Sequence, residues 1–496
     1  MRRLNSQTKK YDLFFAILCA AIIVFFVYIA QYGYNGYDES FYLTVPYRLV
    51  QGDTLLRDEW HPSQLVGFIM YPVMWLYMNL IKSTDGMILT FRYIYIAVQA
   101  VAAVYIYLRL KKLSLTGAIA ASAVYFLFVP YYRLALSYNS LAIMLLLLAG
   151  ITAATAKSDI AYIMSGLMFA GAVLCCPYLV VMYVLYTIFV IIYRLAKSSH
   201  VREWLLFTCG CAVLAVLFLT ILLSRATPEQ LIAGISNTLE DPEHSGFSVL
   251  KIMGLYIKHM CFSRLCARVS TFGCLIIMLL IKLDKRRFEH SCIYMLASTL
   301  ICIGYLALSL DGYTYRYINY YMVPLNVPGI TAYMLHEKKP NRMFWMVFVT
   351  GWLFSFLKCL SSNQFYYALS EGLCVSSAAS AFFIGSWYSE YKTQNKQKGV
   401  ENKIIAVVSL TSIAMLCCML VRDNAEICSG NCRKTGIDLT ATLAEKMSSG
   451  VADGLVATNE ENINYQKYLD ATQEVRSYKG KKVLYFTWEM WLYLMD

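Results

Sequence analysis

Apolar runs of about 20 residues recur along most of the chain, separated by short polar clusters. A run of that length spans a bilayer as a helix. The first is 11–30, and others follow at 87–108, 113–130, 138–156, 160–175, 177–195, 203–223, 265–282, 290–310, 317–336, 342–359, 368–388 and 403–421. The pattern predicts an all-α polytopic membrane protein, a bundle of about thirteen transmembrane helices. The stretch "HPSQLVGFIMYPVMWLYMNLI" at 61–81 is also apolar, but it carries two prolines and follows a polar loop.

Basic residues decide how that stretch lies. Lys and Arg concentrate on the cytoplasmic side of a membrane protein. Arg2, Arg3, Lys9 and Lys10 place the N-terminus inside, so 31–63 lies outside. The run 87–108 ends in "RLKK", with Arg109, Lys111 and Lys112. If 64–81 crossed the bilayer, that cluster would fall outside. The pattern therefore predicts a half-embedded helix over 62–81 at the outer surface. Every later basic cluster then falls inside: Lys157; Arg194, Lys197 and Arg202; "KLDKRR" at 282–287; "HEKKPNR" at 336–342; and "YKTQNKQK" at 391–398. The outer segments are 31–63, the region around 131–138, 224–264, 311–317 and the C-terminal tail.

This divides the chain into a membrane domain, 1–421, whose first exterior loop with surface helices covers 31–81, and an exterior tail, 422–496. In the tail, 436–455 and 464–475 read as helices and "GKKVLYFTW" at 480–488 alternates as a strand does. A small exterior α/β domain, incomplete where the sequence stops, is expected.

Composition agrees. Of 496 residues, 59% are hydrophobic and 15% charged, with a mean hydropathy of +0.52; soluble proteins carry about 25% charged residues. The net charge of +12 sits in the loop clusters, so nucleic acid is not an expected partner, and membrane lipids are. The 16 Cys lie mostly in apolar runs, as small hydrophobes. No C-x2-C pair marks a zinc site. The basic N-terminus followed by an apolar run is too long for a signal peptide and lacks its cleavage site.

The candidate chemistry lies in the outer segments. "YNGYDESFYL" places Asp38 and Glu39 just beyond the first span, where carboxylates near hydrocarbon are costly. Asp58, Glu59 and His61 follow in "GDTLLRDEWHPSQL", where they also suit the capping of a helix that starts at Pro62. Arg92, Arg133 and Arg316 stand at outer span ends, where a guanidinium either holds phosphate or snorkels to the headgroups. Tyr138 and Tyr317 lie beside two of them. His244 and His259, with Asp241 and Glu243, have no spacing diagnostic of a metal, and 224–264 reads as a covering loop. Cys428 and Cys432 face an oxidising side, with a disulfide and free thiols both open.

An inside N-terminus, one span, "DE" in the first outer loop, "RLVQGDTLLRDEWHPSQL" and a Pro-containing half-embedded helix resemble, in that order, the membrane glycosyltransferases of the C superfamily (GT-C). The branch resembled is that of the protein O-mannosyltransferases and aminoarabinose transferases. "LTFRYIYIAVQAVAAVYIYLRLKK", "YYRLALSYNSLAIMLLLLAG", "GAVLCCPYLVVMYVLY" and "DGYTYRYINYYMVPLNVPGI" extend the resemblance over about 10–421. Ser63 stands in place of a second proline, and Cys176 in place of a frequent lysine.

The resemblance implies a sugar donor carried on polyprenyl phosphate and a lipid, glycan or protein acceptor. It implies transfer with inversion at the exterior face of a bacterial cell membrane, with no cofactor indicated. On that reading Asp38 is the general base and Glu39 positions it. Asp58, Glu59 and His61, with Arg92, Arg133, Tyr138, Arg316 and Tyr317, bind substrate. A transporter of a lipid-linked glycan and an inactive scaffold are the alternatives. Transporters place charge at the bilayer midplane, whereas the spans here carry little charge.

Overall fold

The computed structural model describes residues 2–34, 38–59, 61–194, 201–239, 248–262, 264–308, 321–336, 338–361, 369–394, 404, 406–426, 445–475 and 490–494. Arg316, Tyr317, His244, Cys428, Cys432 and the strand expected at 480–488 lie outside these residues.

The described residues of the membrane part are mostly helical. Its helices are α1 Arg2–Ile29, α2 Asp38–Val50, α3 Val66–Ile81, α4 Met87–Leu110, α5 Leu115–Leu127, α6 Tyr138–Ala154, α7 Asp159–Cys175, α8 Val180–Arg194 and α9 Val201–Leu223. Then come α10 Pro228–Leu239, α11 Val249–Ile257, α12 Leu265–Leu283, α13 Ser291–Leu308 and α14 Asn326–Leu335. A helix with a π-helical second turn follows, α15 Asn341–Ser361, and then α16 Leu369–Gln394 and α17 Thr411–Glu426. Eight helices among the described residues are long and apolar enough to cross a bilayer, and four shorter apolar ones accompany them. The protein is a multi-pass membrane protein. The span expected over 317–336 is, within the described residues, only Asn326–Leu335.

The helices pack as membrane helices do, through small residues at close crossings. At Gly385 of α16 an added Cβ would strike the backbone of Gly117 on α5, and at Gly166 of α7 one would strike the Phe207 carbonyl of α9. Larger residues at either crossing would force the backbones apart. The outer faces remain apolar: Ile191, Val216 and Leu279 are all more than half exposed, as lipid-facing side chains are.

One face of the bundle gathers the basic loops. Lys111 pairs with Asp12 at 2.9 Å, Arg109 Nε donates to Thr155 Oγ1 at 2.9 Å, Arg202 pairs with Asp159 at 2.5 Å and Arg342 with Glu203 at 2.8 Å, so the N-terminal part of α1 and the loops after α4, α6, α8 and α14 share that face.

The opposite face carries α2, α3 and a small C-terminal unit. The helix expected over 436–455 is not formed in its described part. Instead β1 Glu445–Lys446 pairs antiparallel with β2 Val456–Ala457. The reason is local: Gly450 and Gly454 adopt φ of +68° and +84°, which a helix excludes and glycine allows. The expected helix at 464–475 is present as the larger part of α18, Asn459–Val475. Met447, Val451, Leu455 and Trp491 form the unit's buried centre.

This unit fixes how α3 lies. Val456 exchanges backbone hydrogen bonds of 2.8 Å with Gln31 and Gly33, just after α1, and Gly86 N–H donates to the Gly450 carbonyl at 2.9 Å. The chain therefore leaves Gly33 and returns to Gly86 against one small unit. The segment between, with α2 and α3, begins and ends on the same face.

Candidate functional site

The site grows from the turn after α1. Asp38 and Glu39 occupy the first turn of α2, where the helix dipole favours negative charge. Successive residues on a helix point about 100° apart, so the two acids meet different surroundings.

Glu39 turns inward to Arg92 of α4. Arg92 Nε donates to Glu39 Oε1 at 2.8 Å and Nη2 to Oε2 at 2.5 Å. Its remaining N–H groups donate to the carbonyls of Ala30 at 2.6 Å, Tyr32 at 3.2 Å and Gly33 at 2.9 Å. Both side chains are at most 2% exposed. Arg92, expected among the phosphate-holding cations, thus has every N–H committed inside the protein. It ties α1's end, α2 and α4 together, and Glu39 is the acid that completes the knot.

Asp38 turns outward. Its side chain is 44% exposed and forms an ion pair with Arg133, itself 21% exposed. Arg133 reaches it from a constrained turn: Tyr131 and Tyr132 both adopt left-handed backbone, at φ of +50° and +54°. Each such residue costs roughly 1–2 kcal/mol outside glycine. The surroundings hold the turn. Arg133 N–H donates to Pro130 O at 3.1 Å, Asn424 Nδ2 to Leu127 O at 2.8 Å, and a reciprocal Ser137–Ser140 capping box starts α6 directly after it. Strain of this kind persists where the fold over-determines it, as at functional sites. Tyr42, one helical turn after Asp38, lies beside Arg133, and its ring meets Tyr138 edge-on at 5.8 Å. Burial first, then Tyr138 and Asp38 nearby, holds the Tyr42 hydroxyl well above its ordinary pKa, so it stays protonated.

Beyond Tyr138 lies a buried ion pair. Lys358 of α15 is 3.2 Å from Glu371 of α16, donates to Asn139 Oδ1 at 2.7 Å and sits 4.7 Å from the Tyr138 ring centre. Both side chains are almost fully buried. Lys358 also neighbours Cys176, so a lysine from another helix faces the position where the sequence carries cysteine.

The loop acids behave differently. Arg48 donates to Asp53 Oδ2 at 2.7 Å, Glu59 Oε2 at 2.8 Å and the Asp58 carbonyl at 2.9 Å. Asp58 Oδ2 accepts from Thr54 N–H at 2.8 Å and Arg57 Nη2 at 2.6 Å. Asp58 and Glu59, expected to bind substrate, serve here to fold their own loop. His61 Nδ1 accepts from Ser63 N–H at 3.1 Å, which leaves its proton on Nε2 when neutral, and the ring packs on Phe41 at 4.5 Å. Ser63 thus orients the imidazole. Behind this loop, α3 and α9 enclose a groove of about 490 Å³ lined by Leu49, Phe68, Pro72, Phe218, Leu222 and Arg225.

The structure brings Asp38, Glu39, Arg92, Arg133 and Tyr138 together and sets the Asp58–His61 loop beside them. Sequence reasoning missed Tyr42, Asn139, Lys358 and Glu371. The signal for the last two was present: each is a lone charge at the end of an apolar run, and such residues mark functional sites by default.

No protein-family model matches the sequence, and no curated protein matches it. Among solved structures, the chain is similar to the archaeal oligosaccharyltransferase AglB from Archaeoglobus fulgidus, a structure in complex with an inhibitory peptide and a dolichol-phosphate. The identity is 12% and the TM-score 0.45, over 82% of this chain and 56% of that one. The chain thus spans little more than half the length of that relative.

Proposed function

We propose that the protein is a membrane glycosyltransferase of the C superfamily. It moves a sugar from a polyprenyl-phosphate carrier to an acceptor hydroxyl, with Asp38 as general base. The observation that carries this reading is an outward-facing carboxylate beside a guanidinium, at the end of a bundle of apolar helices.

The chemistry needs little more. A phosphate leaving group departs without being protonated, whereas glycoside hydrolysis needs a second carboxyl group to protonate the leaving oxygen. Transfer from a phosphate therefore requires one base for the acceptor proton and a cation for the growing phosphate charge. Asp38 and Arg133 supply these two roles. Tyr138 and His61 flank the space as sugar contacts, and a single displacement inverts the anomeric carbon. The groove between α3 and α9 suits an apolar prenyl chain. The basic face belongs in the cytoplasm by the positive-inside rule, so the Asp38 face is exterior.

The test uses purified protein in vesicles with a radiolabelled polyprenyl-phosphate sugar and a candidate acceptor. Release of polyprenyl monophosphate in step with labelled acceptor is expected. Movement of intact labelled lipid across the vesicle without release would replace this reading with transport. Neither outcome would leave a scaffold.

A further inference from the structure

Three acid–base pairs adjoin one another: Asp38–Arg133, Glu39–Arg92 and Glu371–Lys358. Their charges cancel. A donor phosphodiester brings one more negative charge into this neighbourhood. Arg92 has no N–H left for it, and Lys358 is 6% exposed against a fully buried Glu371. Arg133 is the cation of the three that an arriving phosphate reaches, and Asp38 already holds it.

We propose, on the glycosyltransferase reading above, that Arg133 is passed between two anions: it neutralises Asp38 until the donor phosphate takes it over, so donor binding itself releases the base. The charge movement in the reaction fits this exchange. The acceptor oxygen forms a bond to the anomeric carbon, and its proton goes to Asp38. The bond from that carbon to the phosphate oxygen breaks with its electron pair on the phosphate. Asp38 becomes neutral as the phosphate goes from one negative charge to two. Net charge is unchanged; it moves from one side of Arg133 to the other. The guanidinium's grip on phosphate therefore strengthens in the transition state, where it accelerates the step. Before the donor arrives, a base held by a cation does not draw protons from wandering hydroxyls or water.

The test measures binding of polyprenyl monophosphate in detergent micelles to the full-length protein and to Asp38→Asn, Arg133→Ala and the double variant. Asp38→Asn keeps the side chain's size but removes the charge that neutralises Arg133, which keeps its contact with Tyr42. It should bind the probe at least about 5-fold more tightly than wild type, the lower end of typical site-to-site coupling. In the Arg133→Ala background the same substitution should give no gain. An unchanged affinity in Asp38→Asn overturns the exchange. So does a gain that survives in Arg133→Ala, because it would then be plain repulsion by Asp38. If wild type and all variants fail to bind the probe, the glycosyltransferase reading itself falls.

Discussion

Two neighbouring carboxylates, each facing an arginine, end in opposite conditions. Glu39 and Arg92 are sealed between helices with their hydrogen bonds made. Asp38 is 44% exposed and Arg133 21% exposed. The same chemical pair is thus a structural knot in one place and, on the proposed function, the working site in the other. What differs is desolvation and the number of competing partners. A buried pair with its bonds satisfied has no second state to move to, while a pair with one half-exposed member can exchange partners at lower cost.

The largest effect that separates the two is catalytic. Asp38→Asn should lower sugar transfer by on the order of 100- to 10,000-fold, the usual loss on removing a general base. Its thermal unfolding should fall less than that of Arg92→Met, because Asp38 is 44% exposed whereas Glu39 is sealed in the interior. Wild-type transfer by this variant would remove Asp38 from the mechanism and turn attention to His61.

Arg92→Met should do the reverse in kind. It strands Glu39 in the interior, which typically costs about 3–5 kcal/mol. Detergent-solubilised protein should unfold earlier and express poorly. Adding Glu39→Gln should recover part of the loss. A stable, inactive Arg92→Met would instead mean that Arg92 touches substrate.

The Lys358–Glu371 pair tests which class it joins. Lys358→Met alone should destabilise by a similar amount, about 3–5 kcal/mol, while Lys358→Met with Glu371→Met should come back close to wild-type stability. If the double variant folds but transfers sugar slowly, the pair positions Tyr138 and Asn139 for the reaction. If it is fully active, the pair serves packing alone.

A surface pairing on the basic face sets the smallest effect. The His290 ring, the Arg286 N–H and the Tyr294 hydroxyl hold the Asp284 carboxyl below its ordinary value of 3.8. A lowered folded-state value means that the contribution to stability is present above pH 3.8 and lost as pH falls through the folded value. The difference in melting temperature between wild type and Asp284→Asn should be small near neutral pH and should vanish below that window. A difference that grows with acid would reverse the assignment.

Much of the architecture was legible along the chain. Apolar runs of spanning length gave the helices, because hydrocarbon tolerates no unpaired backbone. The tail was less legible. In its described part, 445–455, the helical periodicity lost to the left-handed glycines Gly450 and Gly454 and to pairing of Val456 with the end of α1.

The candidate site divides along the same line. The sequence by itself determined that Asp38 and Glu39 follow the first span, that arginines stand at span ends, and that a membrane must be the setting. Only the tertiary structure decided that Glu39 belongs to Arg92 and Asp38 to Arg133. It alone showed that Asp58 and Glu59 are held by Arg48, Arg57 and Thr54, and that Lys358 meets Glu371 beside Tyr138. Adjacent residues on a helix point to different surroundings, and which cation waits there depends on segments 53 and 95 residues away. Local pattern records the cost of placing a charge near lipid; only the packed bundle records which partner offsets it.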